Sequence, residues 1–115
     1  PKGRWTFASG VRNLANAVYR RVTTPRGSLL YAPDYGRDIR DLLGETASGT
    51  TLRAEEQAFA REVEKDQRVS RCTCTFRFNQ AREALTCTFL VETAAGSFRL
   101  VMLVDQLSVT VLEAP

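Results

Sequence analysis

The feature that most narrows the possible folds is a change of hydrophobic period at Val69. Before it, apolar residues recur at spacings of three and four. After it, they alternate with polar residues at a spacing of two. The first pattern belongs to helices with one buried face, the second to half-buried strands. The two do not interleave along the chain, so the sequence predicts helices first and strands second, the α+β class. With 115 residues and no internal repeat, the expectation is a single domain, 1–115.

Val11, Leu14, Ala15, Val18 and Val22 place a first helix over about 9–22, with Ser9 as its N-cap. Pro25 stops it, because the ring disfavours helical geometry at Thr24. A second helix is expected over 52–65, with Leu52, Phe59 and Val63 on its buried side. Its first turn carries Glu55 and Glu56, where the helix dipole favours anions. Between the helices, Pro25, Gly27, Pro33 and Gly36 exclude regular helix over 25–37. Leu29, Leu30, Tyr31 and Tyr35 are too apolar for a solvated linker, which predicts an ordered loop clamped onto the core. Asp38 is the expected cap of a short helix, Ile39 to Leu43, ended by Gly44, and 46–51 is a loop by composition.

In the second half, Cys72, Cys74, Phe76 and Phe78 alternate with Arg71, Thr73, Thr75 and Arg77. After a polar turn at 79–84, Leu85, Cys87, Phe89 and Val91 alternate with Thr86, Thr88 and Leu90. A further turn falls at Ala94, Ala95 and Gly96. Residues 98–104 are then apolar at both parities (Leu100 and Met102; Val101 and Leu103), which predicts a strand covered on both faces. Val109 to Leu112 is the candidate for a last short strand. The expected architecture is N-terminal helices packed on a C-terminal antiparallel meander of three to four strands. Such a sheet has two edges, and an uncovered edge recruits strands from other chains.

Catalytic chemistry finds little support. The chain has no histidine, which removes the commonest general base and the commonest metal ligand. Serine and cysteine nucleophiles then lack a partner base. Cys72-Thr73-Cys74 lacks the two-residue spacer of a zinc knuckle, and the two thiols share a strand face, which suits core packing. Three cysteines with no apolar leader at the start predict reduced thiols in a cytosolic setting. A cell-wall glycosidase needs two convergent carboxylates. Glu55 and Glu56 point about 100° apart on a helix, as do neighbours of their kind, so these two and Glu62 and Glu64 read as solvated helix faces. The glycines at 44 and 49 enclose no lysine and make no phosphate cradle. No apolar run approaches the roughly 20 residues of a membrane span. The expectation is a non-enzymatic protein with no cofactor, no metal and no membrane.

Charge is unevenly spread. Residues 1–40 carry eight Lys or Arg against Asp34 and Asp38, and the remainder carries eight against eleven acidic residues. Fourteen of the sixteen cations are arginine, whose planar fork suits persistent contacts at protein interfaces. A nucleic-acid-binding module is the competing class, resting on these cations with Trp5 and the tyrosines. The cations are too loosely spread for a continuous basic stripe, so no nucleic acid is expected. Arg68 stands out at the junction Lys65-Asp66-Gln67-Arg68-Val69, where it either satisfies local carbonyls or serves an interface.

The run Thr24-Pro25-Arg26-Gly27, the turn Pro33-Asp34-Tyr35-Gly36 and the following Asp38-Ile39-Arg40-Asp41-Leu42-Leu43 carry a resemblance. Together they resemble the lysozyme-like baseplate wedge or sheath-initiator family of contractile phage tails, type VI secretion baseplates and contractile injection systems. The family closes its second helix with an acid-Pro-Arg element; here Asp66-Gln67-Arg68 keeps the acid and the arginine and replaces the proline. The resemblance covers about residues 9–112. It implies a small structural adaptor in six copies around the tail tube, assembled in the bacterial cytoplasm and located in a virion or injection-machine baseplate. The implied partners are the sheath protein, baseplate wedge proteins and tail tube or hub proteins. It also implies roles. Asp66 and Arg68 would dock to the wedge, and the region of Val101, Leu103, Val109 and Val111 would exchange strands with sheath subunits. Pro25, Gly27, Pro33, Asp34, Tyr35 and Gly36 would shape a loop that braces the helices.

Overall fold

The computed structural model describes residues 2–45, 49–79, 83–106 and 108–115, with 2–9, 44–45 and 49–51 described as backbone only. Helix α1 spans Lys2–Thr23, a 3₁₀ helix spans Ile39–Glu45, and α2 spans Gly49–Glu64. Four strands follow: β1 Arg71–Asn79, β2 Ala84–Thr93, β3 Gly96–Val104 and β4 Val109–Glu113. They form one antiparallel sheet in the order β1-β2-β3-β4, each strand paired with its sequence neighbour. This is the α+β meander that the period switch predicts.

Several boundaries differ from the sequence reading. Helix α1 begins well before Ser9, which therefore lies inside the helix and is not its N-cap. Gly44 does not end the 3₁₀ helix, which continues to Glu45. Residues 49–51, expected as loop, are the first turn of α2, while 46–48 lie outside the described residues. Polar composition favours loops only on average, and packing of the long amphipathic segment behind these residues overrides it. Of the polar turn at 79–84, Asn79 ends β1 and Ala84 opens β2, while 80–82 lie outside the described residues.

The core lies between the helices and one face of the sheet. Leu14, Ala15, Val18 and Val22 of α1 and Phe59 and Val63 of α2 are buried there. The sheet contributes Cys72, Cys74 and Phe76, then Leu85, Cys87, Phe89 and Val91, then Leu100, Met102 and Val104. Phe59, Phe76 and Phe89 stack edge to face in series, with centroids 5.5 and 6.0 Å apart. All three cysteines are free and buried, as their alternation requires. A hydrogen bond with Cys72 and burial raise the Cys74 thiol far above its ordinary value, and burial raises Cys87 as well.

Among the described residues, nothing covers the opposite face of the sheet. Val101 and Leu103 point there and are only partly buried, so β3 is not covered on both faces. Its second apolar parity has no third layer to pack against among the described residues.

Segment 25–37 is three successive turns. Ser28 N donates to Pro25 O, Ala32 N to Leu29 O, and Tyr35 N to Ala32 O, at 3.1–3.2 Å. Gly27 sits third in the first turn at φ 86°, a conformation that glycine adopts without strain. Pro33 takes the second position of the last turn, where its fixed φ fits. The loop then closes on the end of α1. Arg37 N donates to Arg21 O at 3.0 Å, and the Thr23 and Arg40 side chains donate to Tyr19 O and Thr23 O at 2.7 and 3.1 Å. Carbonyls that a helix C-terminus leaves open are thereby satisfied. Leu30 and Tyr31 do not join this clamp and project into solvent.

Candidate interaction site

The organising side chain of the loop is Glu62, 1% exposed on α2. Its carboxylate accepts from Arg21 at 3.1 Å, Arg26 at 2.7 Å and Gly36 N at 3.0 Å, and Lys65 Nζ lies 3.0 Å away. Burial alone pushes this carboxyl up; the bonds from Lys65, Gly36 N and Arg21 outweigh it and hold Glu62 below its ordinary value. Lys65 also reaches Asp34 O, and the Arg21 guanidinium stacks 4.6 Å from the Tyr35 ring centroid. Gly36 is positive in φ at 95°, and a Cβ there would collide with the backbone carbonyl of Thr24. The loop residues Pro25, Gly27, Pro33, Asp34, Tyr35 and Gly36 thus sit in one segment that is bonded to both α1 and α2.

The other glutamates of α2 have defined partners too. Glu55 takes a two-pronged pair with Arg37. Glu56 accepts from Phe76 N at 2.8 Å and Glu64 from Cys72 N at 3.0 Å. These two amides belong to β1, whose far side pairs with β2. Eight helical residues rise about 12 Å and four strand residues about 13 Å, so the two carboxylates match alternate free amides along the edge. Two outward amides of the β1 edge are thereby capped from within the chain. The reading of Glu55, Glu56, Glu62 and Glu64 as solvated faces is therefore corrected: each binds a defined group. Their spacing along α2 is the signal, but only the nearness of β1 gives it meaning.

At the opposite side of the sheet, β4 pairs with β3 alone, and its last four residues are exposed. Asp105 N bonds Ser108 O at 3.0 Å, which sets the alternation of the ladder. Thr110 is bonded to β3, so Val109 and Val111 turn their amides and carbonyls outward, away from β3. Val111 is also 43% exposed through its side chain. A bulge between Val101 and Met102 leaves Leu112 without an opposite number. An open groove of about 640 Å³ runs beside the start of β4, lined by Tyr19, Thr23, Arg40, Asp105 and Val109 among others.

Val109 and Val111 are thus edge positions. Val101 and Leu103 are not: they lie in β3, whose main chain is paired on both sides, and offer only side chains on the bare face.

Asp66 and Arg68 form a compact exposed turn after α2. Asp66 accepts Arg68 N at 2.9 Å and takes both arms of the guanidinium, at 3.0 and 2.7 Å. The Arg68 fork holds the Asp66 carboxyl below its ordinary value. Arg68 does not satisfy local carbonyls; its free side borders a shallow apolar hollow with Val11, Leu14, Ala94 and Ala95. The structure does not gather the sequence-derived residues into one site. It distributes them over the brace, this turn, the β4 edge and the bare face of β3. Among the basic residues of the first 40, Arg21, Arg26, Arg37 and Arg40 are held by carboxylates.

Among the described residues, no helix is long and apolar enough to cross a membrane. No protein-family model and no curated protein matches the sequence. The fold does match a solved structure. A chain of the baseplate complex from the type VI secretion system is similar, with a TM-score of 0.65 and 16% identity. The match covers 86% of this chain and 97% of that one, and it is a likeness of fold.

Proposed function

We propose that this chain is a non-enzymatic structural component of a contractile baseplate, which joins wedge to tube and initiates sheath assembly through strand exchange with sheath subunits. The observation that carries the reading is the asymmetry of the sheet. Glu56 and Glu64 cap two outward amides of the β1 edge, and β4 keeps outward main-chain groups at Val109 and Val111. An edge of this kind accepts an extended segment of another chain through main-chain hydrogen bonds. The fold shared with a chain of a type VI secretion baseplate complex supports the same reading. In it, the sheath protein pairs with β4, the wedge proteins meet Asp66 and Arg68, tube or hub proteins lie alongside, and six copies ring the tube of a phage or injection-machine baseplate.

Val111→Pro tests the strand-exchange step. It removes an outward donor without touching the ladder to β3, and proline is tolerated on an edge strand. The variant is expected to fold and to lose capture of the co-expressed sheath protein. Undiminished capture contradicts the proposal.

A further inference from the structure

At the start of β4, outward main-chain groups and a groove occur at the same residue. Val109 turns its N–H and C=O away from β3. Its side chain lies on the helix-bearing face of the sheet, because it stands opposite the fully buried Val104 and opposed residues share a face. On that face Val109 shares the open groove of about 640 Å³ with Tyr19 of α1 and Leu43 of the 3₁₀ helix. All three pack against the core and remain only partly buried. A strand bonded to β4 would run about 4.8 Å outside it. Whichever its direction, its residue opposite Val109 would put its side chain on the same face, into this groove.

The polar groups of the groove are already engaged within the chain. Arg40 holds both oxygens of Asp38 at 2.8 Å and donates to Thr23 O at 3.1 Å. The Thr23 hydroxyl donates to Tyr19 O, and Asp105 accepts from Ser108 N at 2.8 Å. The groove's own charges, Arg40 and Asp105, are opposite in sign, so the site does not call for an ion. What an occupant can still cover is the apolar surface of Tyr19, Leu43 and Val109, and only a bulky apolar side chain covers it fully. Val111 presents the same face but is 43% exposed and lies outside the groove. A segment on β4 thus meets a walled position at Val109 and an open one at Val111, so one residue can fix its register.

We propose that the partner segment paired with β4 carries a bulky apolar residue opposite Val109, and that the Tyr19 and Leu43 groove selects the partner and sets its register through that residue. This selectivity rests on strand pairing at β4, which Val111→Pro tests by itself.

The test places p-benzoylphenylalanine at Gln106, an exposed residue on the rim of the groove, in the full chain co-expressed with the sheath protein. The adduct, mapped by mass spectrometry, should fall in one extended sheath segment. In an alanine scan of that segment, one bulky apolar residue should weaken binding at least about tenfold, while its two immediate neighbours, which face the other side of the sheet, should not. Combined with Leu43→Ala in this chain, the same truncation should cost little more than the larger single change, since both empty one contact. The scan leaves this chain unaltered, so it decides the matter even where Leu43→Ala lowers the melting temperature. If Val111→Pro abolishes capture but no bulky residue of the segment stands out, the groove does not select and strand pairing survives. If Val111→Pro leaves capture intact, strand pairing falls and the groove's role falls with it. No adduct, or an adduct to a second copy of this chain, also overturns the proposal.

Discussion

The carboxylate of Glu56 accepts the backbone N–H of Phe76 at 2.8 Å, which puts a helix side chain where the next strand of the sheet would lie. Glu64 does the same to Cys72 two helical turns further on. A four-stranded meander thereby has one edge, β1, with two of its outward amides capped by helix side chains, and one, β4, whose outward main-chain groups carry no such cap among the described residues.

Removing both carboxylates should expose the β1 edge. Glu56→Ala with Glu64→Ala is expected to cost about 2–4 kcal/mol, since each change strips a charged acceptor from a strand amide. It should also convert a discrete species into one that self-associates with concentration. Light scattering after size-exclusion chromatography measures the second effect, and an unchanged mass contradicts the capping role.

Acid should loosen the brace in a defined window. Glu62 and Asp66 are both held below their ordinary values of 4.5 and 3.8, so the folded chain binds fewer protons than the unfolded chain near those values. Their contribution is complete well above both values and is lost as the pH falls through them towards the lower folded values. Glu62→Gln should lower stability at pH 7 by about 3 kcal/mol, because Arg21 then loses its buried partner, and should flatten the acid limb. Denaturant melts between pH 7 and pH 3 read both effects.

Gly36→Ala should be more damaging than Gly27→Ala. Both positions have positive φ, but only at Gly36 would the added methyl meet the Thr24 backbone. Strain alone accounts for about 1–3 kcal/mol at each, and the collision adds to it at Gly36 only. Thermal unfolding of the two variants side by side gives the comparison.

Arg68→Ala should leave the fold almost untouched, within about 1 kcal/mol, because exposed ion pairs contribute little. Asp66 keeps its bond to the residue-68 backbone amide in the variant, so the turn survives. The expected loss is in binding to wedge components. Unfolding with no selective binding defect contradicts the docking role.

Much of the architecture is readable from period alone. Cys72, Cys74 and Phe76 alternate with charged and hydroxyl residues because each strand buries one face, so order, pairing and core follow directly. The same logic misleads for β3, since apolar residues at both parities do not say whether a second layer exists to cover Val101 and Leu103. It fails for α2 as well. Glu56, Glu62 and Glu64 look like a solvated stripe until β1 and the loop are placed beside them, and that placement is tertiary. Leu30 and Tyr31 show the opposite limit: hydrophobicity predicts burial, while the turn that holds them decides which way they point.

Electron cryomicroscopy of this chain co-assembled with its sheath and wedge partners tests the central claim most directly. The expected result is a ring at the base of the sheath in which an extended sheath segment lies along β4, bonded to the main chain at Val109 and Val111, while α2 stays against β1. An assembly in which β4 carries no added strand, or a chain that remains a free monomer beside both partners, contradicts it.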